Sequence, residues 1–187
     1  MLTNPLVKSL VSTSLAKYLT GGAFLGRNYI DLDSTASAHY LLAKPWAPTG
    51  DFEVEVTFST TSSTATQTLL GKELYFKIVL LTTGELRVLV GNGAGWVINP
   101  STASSYNDGL IHTALMSKIG TLYTISVDGI DVISVTAAGA VTPEVTHIGE
   151  RGDGFNYFDG IISQVGLTDI TTPANSEYYR LNSLTKE

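Results

Sequence analysis

Three carboxylates alternate at Asp51, Glu53 and Glu55, with Phe52, Val54 and Val56 between and after them. A strand sends successive side chains to opposite faces, so the acids would share one face and the apolar residues the other. Retaining glycoside hydrolysis needs two carboxyls about 5–5.5 Å apart, and i, i+2 neighbours on a strand lie near that range. Glu53 and Glu55 are therefore the pair that could serve as nucleophile and general acid. The competing reading is the solvated outer face of a half-buried strand. The lack of a dense set of nearby aromatics to line a sugar cleft favours it. A nucleophilic triad has less support, because no Gly-x-Ser-x-Gly elbow accompanies the three histidines, His39, His112 and His147. No His-x-His or His-Glu-x-x-His spacing marks a zinc site. His112 falls inside an expected strand, where a histidine is more often a hydrogen-bonded structural residue than a base. Calcium would take loop oxygens, for which Asp31, Asp33, Asp108, Asp131, Asp153 and Asp159 are available. None of them forms an EF-hand loop, and turn chemistry accounts for Asp108 and Asp128. No catalytic residue, metal or cofactor is expected.

Sugar binding asks for aromatic faces and planar polar groups presented on loops. Trp96 follows Gly91-Asn92-Gly93-Ala94-Gly95, where glycines permit close backbone approach. That stretch is not a phosphate loop, since no Lys-Ser/Thr follows it. Trp46 stands between Pro45 and Pro48 and is expected in a turn. The most function-like loop is Arg151-Gly152-Asp153-Gly154-Phe155-Asn156-Tyr157, with charges, an amide and two aromatics around two glycines. Trp96, Arg151, Asp153, Phe155, Asn156 and Tyr157 are the candidate ligand-binding residues. Each tryptophan also has a plain reading as a packing residue, and the loop one as a hairpin. Arg151-Gly152-Asp153 spells an integrin tripeptide, which a turn explains equally well.

These residues need elements to hold them. The chain has 187 residues, 43% of them hydrophobic and 15% charged, as expected for one folded domain plus an extension. A net charge of −6 argues against a partner gripped by its phosphates, so no nucleic acid is expected. No apolar run approaches the ~20 residues of a membrane span. Lys8, Lys17 and the polar run at 12–14 interrupt any signal-peptide core, so no secretion by that route is implied. The absence of cysteine excludes disulfides and thiolate chemistry. Counts of 24 Thr, 17 Ser, 18 Gly and nine Tyr suit many short strands joined by turns.

Residues 1–22 stand apart. Leu6, Val7, Leu10, Val11, Leu15, Tyr18 and Leu19 recur at helical spacing, Asn4 and Pro5 suit a helix start, and Gly21 suits its end. An isolated helix of ~15 residues is marginal, so this stripe must dock, either on its own domain or on copies of itself as an anchor or oligomerisation helix, with a trimer favoured. From residue 23 onward period two takes over. Strands are expected over 29–32, 52–58, 74–80, 85–90, 111–117, 122–127, 130–135 and 161–167. Asp128-Gly129 between two alternating runs signals a tight hairpin. Residues 171–187 read as a C-terminal arm, a short helix or a docking segment.

In that order and spacing the motifs resemble laminin G-like, concanavalin A-like jelly rolls. They are Tyr29-Ile30-Asp31-Leu32, Asp51 to Val56, Asp108-Gly109-Leu110-Ile111-His112-Thr113, Tyr123 to Gly129, His147-Ile148-Gly149 and Phe158 to Val165. The resemblance covers roughly residues 23–170. It implies an all-β sandwich of two antiparallel sheets behind a short amphipathic helix. That family includes lectins, adhesion modules, structural proteins and glycanases of the laminarinase type. The last carry Glu-x-Asp-x-Glu or a one-residue variant where this chain has Asp51-x-Glu53-x-Glu55. The helix, the absent cysteines and the Thr/Ser-rich strands are also similar to small bacteriophage virion proteins carrying this domain, such as tail-fibre or receptor-binding heads and capsid-decorating subunits. On that resemblance the chain is a non-enzymatic protein of the phage particle surface, with a host-surface glycan and other virion proteins as partners.

Overall fold

Asp128 and Gly129 form the tight turn of a hairpin, with φ of 54° and 79°, and Val127 faces Ile130 directly across it. Positive φ at both central residues lets the turn follow the strands' right-handed twist, which is why Asp-Gly is favoured there. The hairpin belongs to the first of two seven-stranded antiparallel sheets. Numbered in chain order, that sheet holds β1 (Ile30–Leu32), β3 (Phe52–Ser59), β9 (His112–Ile119), β10 (Leu122–Val127), β11 (Ile130–Thr136), β13 (Gly160–Asp169) and β14 (Glu177–Arg180). Its order is β1-β13-β3-β9-β10-β11, with β14 also on β13. The second sheet holds β2 (Tyr40–Trp46), β4 (Gln67–Lys72), β5 (Phe76–Leu80), β6 (Glu85–Gly91), β7 (Trp96–Ile98), β8 (Ser101–Ser105) and β12 (Val145–Ile148). Its order is β2-β12-β4-β5-β6-β7, with β8 also on β6. The computed structural model describes residues 30–32, 34, 37 and 39–180. The helix expected over 1–22, with its stripe from Leu6 to Leu19, lies outside the described residues.

The core lies between the sheets. From the first sheet, Phe52, Val54, Val56 and Phe58 on β3 and Ile162, Val165 and Leu167 on β13 point inward. Phe76, Ile78 and Leu80 on β5 meet them from the second. Phe52 joins the layers, its ring 5.8 Å from Trp46 and 6.2 Å from Phe76, both edge-on, the geometry that ring quadrupoles favour.

One expectation is corrected here, and of the two readings of the C-terminal arm its described residues take the docking one. Trp46 is not in a turn but ends β2 as a buried core residue. The Pro45 before it is tolerated because β2 is an edge strand, where one missing ladder donor costs little. The arm after residue 171 is no α-helix among its described residues: a 3-10 turn at Pro173–Asn175 leads into β14, which pairs along β13 from Gln164 to Leu167.

Candidate functional site

Side chains alternate along β5, so Phe76 and Ile78 enter the core while Lys77 leaves the second sheet on its far side. Lys77 is nonetheless almost covered. Its ammonium donates to Glu73 Oε2 at 2.6 Å and lies 4.9 Å from the centre of the Trp96 ring, a cation–π contact. The same Glu73 carboxylate lies 3.3 Å from Arg151 Nε. Arg151 in turn donates to both oxygens of Asp153, at 2.8 and 2.6 Å, and its guanidinium lies 5.3 Å from the Phe155 ring. The loop and the tryptophan singled out from sequence are therefore one surface, joined through Lys77 and Glu73. The Asp153 hydrogen bonds hold Arg151 above its ordinary range, and the Arg151 hydrogen bonds hold Asp153 below its own. Both stay charged across the physiological range.

The loop is held down along its length. Past the short stretch where β12 pairs with β4, the loop takes over the β4 edge. Gly149 N–H donates to the Leu69 carbonyl at 2.8 Å, and Thr68 N–H to the Asn156 carbonyl at 2.7 Å. Gln67 adds a clamp from its buried amide, accepting from Asp159 N–H at 2.8 Å. Asn156 sits at φ 56°, a left-handed conformation that Asn tolerates better than most residues. Phe155 is left 61% exposed, an aromatic face turned to solvent beside a charged pair. In the β4–β5 turn, Tyr75 carries the Lys72 ammonium 4.3 Å from its ring centre, and Lys72 pairs with Glu144 at 2.8 Å.

Tyr157 lies at the other side of the loop, its ring centroid 5.8 Å from that of His39, which lies 5.7 Å from that of His147. His147 Nε2 is 3.3 Å from Glu150 Oε1, which also accepts from Gly152 N–H at 2.9 Å. Burial is the main cause that holds His147 below the usual imidazole range. Sequence spacing gives no hint of His39, which precedes β2 and meets the others only through the β2–β12 pairing.

Glu53 and Glu55 sit elsewhere. They leave β3 on the outer face of the first sheet, opposite in direction to Lys77, with both sheets between. Glu55 accepts a hydrogen bond from Gln164, and Asp51 is used in accepting from Gly120 N–H at 2.7 Å. The carboxylate pair and the aromatic surface are not brought together.

His112 is enclosed by acids. Its two ring nitrogens lie 2.8 Å from Asp128 and 3.0 Å from Asp108, and ionised carboxylates only accept, so the protonated ring donates to both acids. Burial opposes the imidazolium, but the hydrogen bonds and charges of Asp128 and Asp108 together outweigh it and raise the pKa. It packs edge-on to Tyr106 and staples the start of β9 to the β10–β11 turn. Since the folded pKa exceeds the unfolded ~6.5, this stabilisation is complete below pH ~6.5 and is lost as pH rises through the folded value. The melting temperature of the wild type relative to His112→Gln is therefore expected to fall between pH 6 and 9. A difference that is flat across that range would show that His112 folds neutral.

No family model and no curated protein matches the sequence. Solved structures match the fold. A carbohydrate-binding CBM40 domain of the Ruminococcus gnavus IT-sialidase, bound to α2,3-sialyllactose, has a TM-score of 0.53 at 14% identity, over 78% of this chain and 88% of that one. Domain 4 of an extracellular arabinanase from Geobacillus stearothermophilus, in complex with arabinotriose, has a TM-score of 0.56 at 14% identity, over 79% and 74%. The mouse laminin α1 LG4-5 pair has a TM-score of 0.54 at 17% identity, over 87% of this chain and 47% of that one. The fold is an all-β jelly-roll sandwich of two antiparallel sheets, similar to those of the CBM40 and laminin LG domains.

Proposed function

We propose that this chain is a non-enzymatic glycan-binding module whose contact surface is built from Trp96, Lys77, Glu73, Arg151, Asp153 and Phe155. The observation that carries the reading is the continuous bridge from Trp96 through Lys77 and Glu73 to the 151–157 loop. It sets aromatic faces beside fixed charged donors and acceptors, the combination that stacks on a sugar ring and pairs with its hydroxyls. Two of the similar folds above are held in complex with oligosaccharides. Against hydrolysis stands the placement of Glu53 and Glu55 on the opposite outer face, with Glu55 bonded to Gln164.

Within the same proposal the module is displayed on a bacteriophage particle, as a receptor-binding tail-fibre or capsid-decorating subunit. The stripe from Leu6 to Leu19 would anchor or trimerise it. The test is titration against a glycan panel that includes host surface polysaccharides, with each glycan's mass measured afterwards. Binding should leave the glycans intact, and Trp96→Ala and Phe155→Ala should each weaken it about tenfold, the equivalent of ~1.4 kcal/mol. Glu53→Gln and Glu55→Gln should leave affinity unchanged. Removing residues 1–20 should lower the assembly order or release the module from particles. Shortened glycans, or full affinity without Trp96 and Phe155, would overturn the assignment of the surface.

A further inference from the structure

The second histidine cluster has the chemistry of a metal site. His39, His147 and Glu150 each place one potential ligand atom within 4.8 Å of the other two. Three ligands on one tetrahedral zinc, with bonds of about 2.0–2.1 Å, stand roughly 3.3 Å apart. His147 Nε2 and Glu150 Oε1 already have that separation, at 3.3 Å. Closing the triangle needs a side-chain adjustment of about 1 Å or more at His39, which is partly exposed at the head of β2.

The surroundings of each ligand suit the role. His39 Nδ1 lies 3.0 Å from the Ser37 carbonyl, which can only accept. That fixes the proton on Nδ1 and leaves Nε2 with its lone pair. His147 Nδ1 lies 2.8 Å from Thr146 Oγ1, which accepts from Nδ1–H in the tautomer whose Nε2 offers its lone pair to a cation. The Thr146 hydroxyl can then turn its own proton to the Gly71 carbonyl at 3.5 Å. Each imidazole therefore has an outer hydrogen bond of the kind that orients metal-binding histidines. Glu150 is 97% buried by its 3% exposure. Its only ion-pair partner among the described residues is His147. Gly152 N–H donates to that carboxylate and the neighbouring Arg151 acts on it through its charge, but no Lys or Arg among the described residues forms an ion pair with it, so a cation held against it would offset more of its burial cost.

From this geometry we infer that His39, His147 and Glu150 form a binding site for a late first-row divalent cation of the zinc class. Two imidazole nitrogens select against calcium and magnesium, which demand oxygen. Three protein ligands leave at least one coordination position for water or a ligand oxygen. The site lies beside Tyr157, at the base of the 151–157 loop, so the ion would tie the segment before β2 to the β12–β13 connection. It stands independently of the glycan reading, because the ion is its own probe.

The test is calorimetric titration of the chelator-treated full chain with Zn2+, together with melting curves. One equivalent should bind with a dissociation constant at or below about 10 μM and raise the melting temperature. A tenfold excess of Ca2+ or Mg2+ should not compete. His39→Ala and Glu150→Gln should each weaken binding at least tenfold, and Co2+ in place of Zn2+ should show visible absorption bands that His39→Ala abolishes. Should the buried Glu150→Gln variant fail to fold, His39→Ala decides the matter. Binding weaker than about 1 mM, or equal binding by wild type and His39→Ala, would overturn the site.

Discussion

Replacing Phe52 by alanine is expected to cost about 3–5 kcal/mol, the range for truncating a fully buried aromatic. The side chain is 0% exposed and meets Trp46 and Phe76 edge-on across the gap between the sheets. Its loss removes transfer free energy and leaves a void that strands pinned by their ladders close only in part. In a chain of this size each kcal/mol moves the melting temperature by roughly 2–4 °C, so the midpoint should fall by something on the order of 10 °C. Ile130→Ala is the comparison, because that side chain is equally apolar but 68% exposed; it should shift the midpoint by less than about 2 °C. Similar shifts for both variants would mean that the aromatic bridge between the sheets does not hold them together.

The same burial pattern decides which strands can be read from sequence. Along β3 exactly one face is buried, so alternation of Phe52, Val54, Val56 and Phe58 with acids and threonine marks the element and its orientation at once. Along β4 both faces are covered, Leu69 and Leu70 together, and no period remains to be seen. That strand escapes the sequence reading, as does β8, whose Ser-Thr-Ala-Ser-Ser run has nothing apolar to alternate. Proline conceals β2, because Pro45 reads as a breaker until the strand is known to lie at an edge.

For the site, composition finds the parts that stand on loops. Two glycines around charged and aromatic residues single out 151–157, and a tryptophan after a glycine run singles out Trp96. What joins them is invisible in one dimension. Lys77 and Glu73 matter because β5 lies between β4 and β6 and brings the Trp96 end of the sheet near Arg151. The one signal that could have found them is Lys77 itself, a lone charge inside the apolar run from Phe76 to Leu80, where a solvated residue is out of place. The His39, His147 and Glu150 cluster leaves a fainter trace, a His-x-x-Glu pair at 147 and 150 whose third member lies more than a hundred positions away. Periodicity specifies a face. It does not specify which strands become neighbours.

Gly71→Ala should couple the fold to both surfaces. Gly71 lies opposite Lys77 on one side and His147 on the other, so one position sits in register with a member of each cluster. Its φ is 148°, which L side chains rarely adopt, and a Cβ there would lie 2.1 Å from the Phe76 carbonyl oxygen and 2.8 Å from the Lys77 Cα. Backbone on β5 cannot rotate out of the way as a side chain would. Strain at a sparsely populated conformation and overpacking each cost ~1–3 kcal/mol, so destabilisation on the order of 3 kcal/mol or more is expected. Gly120→Ala separates the two causes: its φ is also positive, at 58°, but a Cβ there meets nothing within 4 Å. It should carry the left-handed penalty alone, about 1–2 kcal/mol. Below the melting transition of Gly71→Ala, Zn2+ and glycan affinity should both drop, because separating β4 from β5 and β12 shifts Lys77 relative to Glu73 and frees the His147–Glu150 segment from its Gly149–Leu69 hydrogen bond on β4. A Gly71→Ala protein that melts no lower than Gly120→Ala and binds normally would show that β5 yields at that point, and that neither site depends on the register of β4.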